Sequence, residues 1–181
     1  MINRYHIVLN FIGFQTGWFA IVLMAAQGQP EIGIAIALII VALHLFMTQA
    51  RLHTYALLFT VTLLGSAWDS VLTSQQILVF SSGLISPYLA PSWIIMMWLL
   101  FSTTLNVSLR WLYGRTWLAM LLGAIAGPLA YQAGAALGAV VIPNPLIGNI
   151  VLAIGWAGLL PMFIKTAEAF DAMAKTRVMP K

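Results

Sequence analysis

Six apolar runs, each about as long as a bilayer is thick and separated by short breaks, leave this chain few folds to choose from. They cover roughly 5–26, 32–50, 54–76, 92–109, 117–141 and 146–164. A helix that crosses the hydrocarbon core needs about 20 mostly apolar residues. The breaks are "QGQPE" (27–31), "ARLH" (50–53), "SSGLISPYLAP" (81–91), "RWLYGR" (110–115) and "PNP" (143–145). Proline and glycine in such breaks end helices, and short connections make neighbours antiparallel. The expected fold is an all-α integral membrane protein, a bundle of six transmembrane helices. Composition supports this: 62% of the 181 residues are hydrophobic and 7% are charged, whereas soluble domains carry about 25% charged residues. A soluble fold of this size could not hide so much apolar surface.

The basic residues set an expected orientation. Arg4 precedes the first run, Arg51 lies between the second and third, and Arg110 and Arg115 lie between the fourth and fifth. Lys165, Lys175, Arg177 and Lys181 follow the sixth. All eight fall on one side of a six-span arrangement. Cytoplasmic loops carry the Lys/Arg excess, so both termini are expected in the cytoplasm and Glu31 outside. The net charge of +4 is spread over these breaks, which argues against a nucleic-acid partner. The first run is longer than the h-region of a signal peptide and contains Asn10, Gln15 and Trp18, so it is read as a retained span. Residues 1–164 then form the transmembrane domain and 165–181 a cytoplasmic amphipathic tail. In that tail Phe163, Ala167, Phe170 and Ala174 keep helical spacing and Asp171 and Lys175 form an i,i+4 pair.

One residue sits badly in this background. Asp69 lies within the third run, in "LLGSAWDSVLTSQQ" (63–76). Thr62, Ser66, Asp69, Thr73 and Gln76 share a helical face, a polar stripe that must avoid lipid. No Lys or Arg lies deep in any run, and His44 belongs to the opposite half of the membrane. Asp69 is therefore protonated, held by neutral donors, or open to external water. The polar and aromatic groups expected near its depth are Gln15, Trp18, Trp68, Trp93, Tyr131, Gln132 and Asn149, which could line an outer-half pocket. Two readings stay open: a polar plug that locks helices together, and a site for a solute, proton or lipid headgroup.

The fifth run, "GAIAGPLAYQAGAALGA" (123–139), places Gly123, Gly127, Tyr131, Gly134 and Gly138 on one face. Small residues there allow close helix approach, and Pro128 is expected to kink the helix. His6, His44 and His53 lack the spacing and carboxylate partners of a metal or haem site, so no cofactor is expected. With no cysteine in the chain, disulfides and thiolate chemistry are excluded. Phosphate-cradling glycine loops, G-x-S-x-G and H-E-x-x-H are absent too.

"NFIGFQTGW" (10–18), "WDS" (68–70), "PSWIIMMWLLF" (91–101) and "GPLAYQAG" (127–134) resemble the bacterial inner-membrane family called domain of unknown function 2878, over nearly the whole chain. The positions that match its polar motifs are Asn10, Gln15, Trp18, Asp69 and Tyr131. The resemblance implies a multi-pass protein of the bacterial inner membrane. It also implies a link to membrane lipids, because members are often encoded near enzymes that modify membrane fatty acids. The functional expectation is a small permease or accessory subunit that binds a small solute or lipid group at Asp69. Alternatives are an intramembrane enzyme acting on lipid, with Asp69 as general acid or base, and a purely structural partner for another membrane protein.

Overall fold

The computed structural model describes residues 4–48 and 52–176, with side chains up to residue 174. It is built from six helices: α1 (Arg4–Ala26), α2 (Pro30–Met47), α3 (Leu52–Ser74), α4 (Ser92–Ser102), α5 (Thr116–Ala136) and α6 (Pro145–Thr176). Five of them, all but α4, are long and apolar enough to cross a membrane. Helices suit lipid because they satisfy every backbone donor and acceptor internally.

α4 differs from the sequence expectation of a span over 92–109. Its 11 residues rise about 16 Å, half of a hydrocarbon core. The cause lies in the run Ser102, Thr103, Thr104. Each hydroxyl donates to the carbonyl three residues earlier, on Leu99, Leu100 and Phe101, at 2.6, 2.7 and 2.6 Å. Such local bonds compete with the α-helical ladder. Beyond them the chain advances through overlapping i→i+3 turns, among them Thr104 N–H to Phe101 O and Val107 N–H to Thr104 O. It ends in a single 3-10 turn at Arg110–Leu112.

α4 is nevertheless the centre of the bundle. It packs against α1, α2 and α3, while α5 packs on α6 and α6 on α3. Trp93, Ile94, Met96, Trp98 and Leu100 are all buried, as expected of a helix that is apolar all round. Glycines set the closest approaches elsewhere. A methyl group at Gly33 would overlap the α1 backbone at Ala20 and Ile21, and one at Gly123 would overlap the α6 backbone at Trp156.

A two-stranded ribbon, β1 (Val79–Phe80) paired antiparallel with β2 (Val140–Val141), closes one end of the bundle. Its register pairs Val79 with Val141 and Phe80 with Val140. It was not visible in the sequence, because two residues per strand carry no periodic signal. Ser82 Oγ donates to Ala25 O at 2.7 Å, Trp93 Nε1 to Ser82 O at 3.0 Å, and Ala90 N–H to Ser70 Oγ at 3.0 Å. The segment after α3 is thereby tied to α1, α3 and α4. At the other end Arg110 pairs with Asp171 at 3.0 Å and lies over the Tyr113 ring. This fastens the last turns of α6 to the α4–α5 connection. Burial, and then the Asp171 carboxylate, push the Tyr113 hydroxyl well above its ordinary pKa. The expected Asp171–Lys175 pair lies outside the described side chains.

Candidate functional site: a buried carboxyl beside a lateral groove

Asp69 is fully enclosed. The Trp98 indole N–H, from α4, donates to Oδ2 at 2.7 Å, and the Tyr131 hydroxyl, from α5, donates to Oδ1 at 2.6 Å. One carboxyl group thus joins α3, α4 and α5. Of the possibilities left open by the sequence, neutral donors hold it: no Lys, Arg or His among the described residues bonds to it. Thr73 Oγ1 donates to the Asp69 backbone carbonyl at 2.7 Å.

Packing fixes both donors. One face of Trp98 lies on Gly65, where any side chain would collide with the ring. The other face stacks on Trp156, with ring centroids 5.1 Å apart at 16°. Phe101 and Phe163 meet Trp98 edge-on at 5.8 and 5.7 Å. Trp156 in turn occupies the space left by the missing side chain of Gly127. Its indole N–H is buried and faces the Tyr131 hydroxyl without a well-formed hydrogen bond.

A cavity of about 650 Å³ adjoins this centre. It extends from Phe80, Trp93 and Val140 at the ribbon end to Ser108 and Trp111 toward the opposite end. α1 forms one wall with Phe11, Phe14, Gln15 and Trp18; α5 forms the other with Ala126, Ala130 and Gly134. These two helices are not among the pairs that pack together. The gap between them is the mouth, and Phe11, Phe19 and Leu129 on its rim are exposed. The floor is formed by α4 and α6, with Asp69 beneath Tyr131 and Trp98.

Of the residues singled out in the sequence, Asp69 and Tyr131 are brought into contact. Gln15 and Trp18 line the groove but do not bond to Asp69. Gln132 and Asn149 stand apart from it: Gln132 Nε2 donates to Asn149 Oδ1 at 2.9 Å on an exposed face of the α5–α6 pair. Trp68 turns away from the centre and covers Gly155 of α6, its indole N–H buried without a partner. Trp98 was not among the residues singled out in the sequence. A signal for its role was present, however. It lies six residues from the start of α4, as Asp69 lies five from the end of α3, and both of these helix ends meet the ribbon. The two residues therefore share a depth within about 2 Å.

A second polar contact joins α1, α2 and α4. Asn10 Nδ2 donates to Thr103 O at 3.1 Å and lies 3.4 Å from His44 Nδ1. No group of three or more His, Cys, Asp or Glu that could hold a metal occurs among the described residues.

Helices long enough to span a bilayer, arranged around a buried carboxyl and a sideways groove, define a multi-pass α-helical membrane protein with an internal polar centre. The chain belongs to the family described as protein of unknown function (DUF2878), whose model matches residues 7–162. No curated protein and no solved structure matches it.

Proposed function

We propose that this protein binds a lipid-like amphiphile, which enters sideways from the bilayer and lies in the groove between α1 and α5 with its polar group at the Asp69–Tyr131 centre. It would act as a small carrier or as a lipid-binding accessory subunit. The observation that carries the reading is the groove itself, largely apolar along its length, bounded by α1 and α5 and holding the Asp69–Tyr131 pair in its floor. A methylene takes about the room of a water molecule, roughly 30 Å³, so 650 Å³ holds about twenty such groups. From Leu122 to Gly134 the α5 wall rises about 18 Å, the reach of a single extended chain.

The enclosure of Asp69 favours binding over catalysis, since both of its oxygens are occupied and Tyr131 stands between it and the groove. In this reading the protein is a six-span protein of the bacterial inner membrane. α4 and the turns after it form the fourth crossing, and both termini are cytoplasmic. Arg4, Arg110 and Arg115, at element ends away from the ribbon, and Lys165, twenty residues along α6 from its ribbon end, support that orientation.

The test uses tryptophan fluorescence, because Trp18, Trp93, Trp98, Trp111 and Trp156 all line the groove. In nanodiscs containing a small fraction of lipid with brominated acyl chains, the wild type should be quenched more than Ala126→Phe, which fills the groove from its α5 wall. Equal quenching would rule out occupation of the groove.

A further inference from the structure

The polar centre lacks a countercharge, and that points to one ligand chemistry. Among the described residues the one ion pair joins Arg110 to Asp171, and the donors to Asp69 are an indole and a phenol. Its carboxylate therefore has hydrogen bonds but no countercharge, in a part of the molecule where isolated charge is costly. The Tyr131 hydroxyl donates its hydrogen to Asp69, and its oxygen faces the buried Trp156 indole N–H as well as the groove, so hydrogen bonding alone does not select the ligand. An anionic group is repelled by Asp69, and a group that carries positive charge supplies what is missing.

The walls suit the same group. Phe14 and Trp18 from α1, Phe101 from α4 and the Tyr131 ring are half-buried and line the cavity, with Phe14 and Phe101 edge-to-face at 6.1 Å. Aromatic faces around a dry pocket attract cations. We infer that the ligand is a long-chain amine whose hydrocarbon body lies along the groove and whose ammonium group sits at Tyr131, above the Asp69 carboxylate and among these aromatic side chains. This rests on the groove reading and narrows it to one headgroup chemistry. The amine can come from a bilayer aminophospholipid that inserts one chain or from a free alkylamine.

Displacement of the Ala126-dependent quenching tests it, with dodecylamine, dodecanol and dodecanoate added to phosphatidylcholine nanodiscs and their concentrations counted within the bilayer. Dodecylamine should displace at concentrations about thirtyfold below dodecanol, the worth of one desolvated cation–π contact, and dodecanoate should be weakest. Asp69→Asn, which removes the carboxylate but keeps the aromatic walls, should lower the preference for the amine while leaving the quenching in place. Where that variant does not fold, Tyr131→Phe, which removes the accepting oxygen, should lower the same preference. Competition by added phosphatidylethanolamine assigns the site to a bilayer lipid. Its failure to compete, with dodecylamine still preferred, assigns the site to a free amine. Equal displacement by amine and alcohol, or a preference that neither substitution lowers, would overturn the amine inference and leave the groove reading standing. The absence of any Ala126-dependent quenching would remove both.

Discussion

Asp69 has two oxygens and two donors, and that count decides how substitutions there behave. Asp69→Leu leaves the Trp98 indole and the Tyr131 hydroxyl buried without partners, at about 1–3 kcal/mol for each. Asn keeps one acceptor but turns an amide N–H₂ toward the other donor, so it should fall between wild type and Leu. Trp98→Phe retains most of the stacking on Trp156 and leaves one oxygen of the buried Asp69 carboxyl unpaired, an expected loss of about 1–3 kcal/mol. Thermal unfolding in detergent should order the variants wild type, Asn, Leu, with Trp98→Phe clearly destabilised. A Trp98→Phe protein as stable as wild type would show that this hydrogen bond contributes nothing net. The pairing of Asp69 with Tyr131 was legible from depth and helical face. Gln132 and Trp68 were grouped with them on depth alone. Each is one residue, and so about 100° of helix rotation, from a true member of the centre, which is enough to turn a side chain onto another face.

At the level of elements, the glycine face expected on α5 divides in two. Gly123 and Gly127 admit Trp156 of α6, and α5 and α6 are tightly packed along this seam. Gly138 serves a different purpose. It follows the end of α5 with φ +89, a left-handed conformation that glycine adopts without strain and that turns the chain into β2. Gly127→Leu should destabilise by about 1–3 kcal/mol through overpacking against Trp156. Gly158→Ala is the contrast: it lies on α6 with open space where a Cβ would go. It should be neutral or stabilising by about 0.5–1 kcal/mol, as for Gly→Ala inside a helix. Melting temperatures that move together for these two variants would contradict the packing account. Gly114 is a poorer control than its loop position suggests, since its φ of +71 strains any side chain even though nothing crowds it.

For the whole molecule, the expected orientation predicts opposite labelling of the two ends. The chain has no cysteine, so single cysteines can be introduced against a clean background. A cysteine at Ile85, in the exposed segment after β1, should react with an impermeant thiol reagent added to intact cells. One at Arg115 should react only after permeabilisation. The reverse pattern would invert the topology while leaving the bundle intact. The same pair of variants also tests α4, because a fourth segment that failed to cross would place residues 85 and 115 on the same side.

The sequence by itself determined the solvent, the helical class and the sites of most breaks. Those properties are additive over twenty-residue windows, and each residue contributes whatever its neighbours in space are. It also singled out Asp69, because a carboxyl group in an apolar run is costly in any fold. Only the tertiary structure decided that the donors are Trp98 and Tyr131, that α4 stops at Ser102, and that α1 and α5 stand apart. The donor set depends on the rotation of three helices about their own axes, and an apolar helix with no dominant face does not encode that rotation. The groove depends on which helices do not pack closely together, and no residue in either wall carries that information alone.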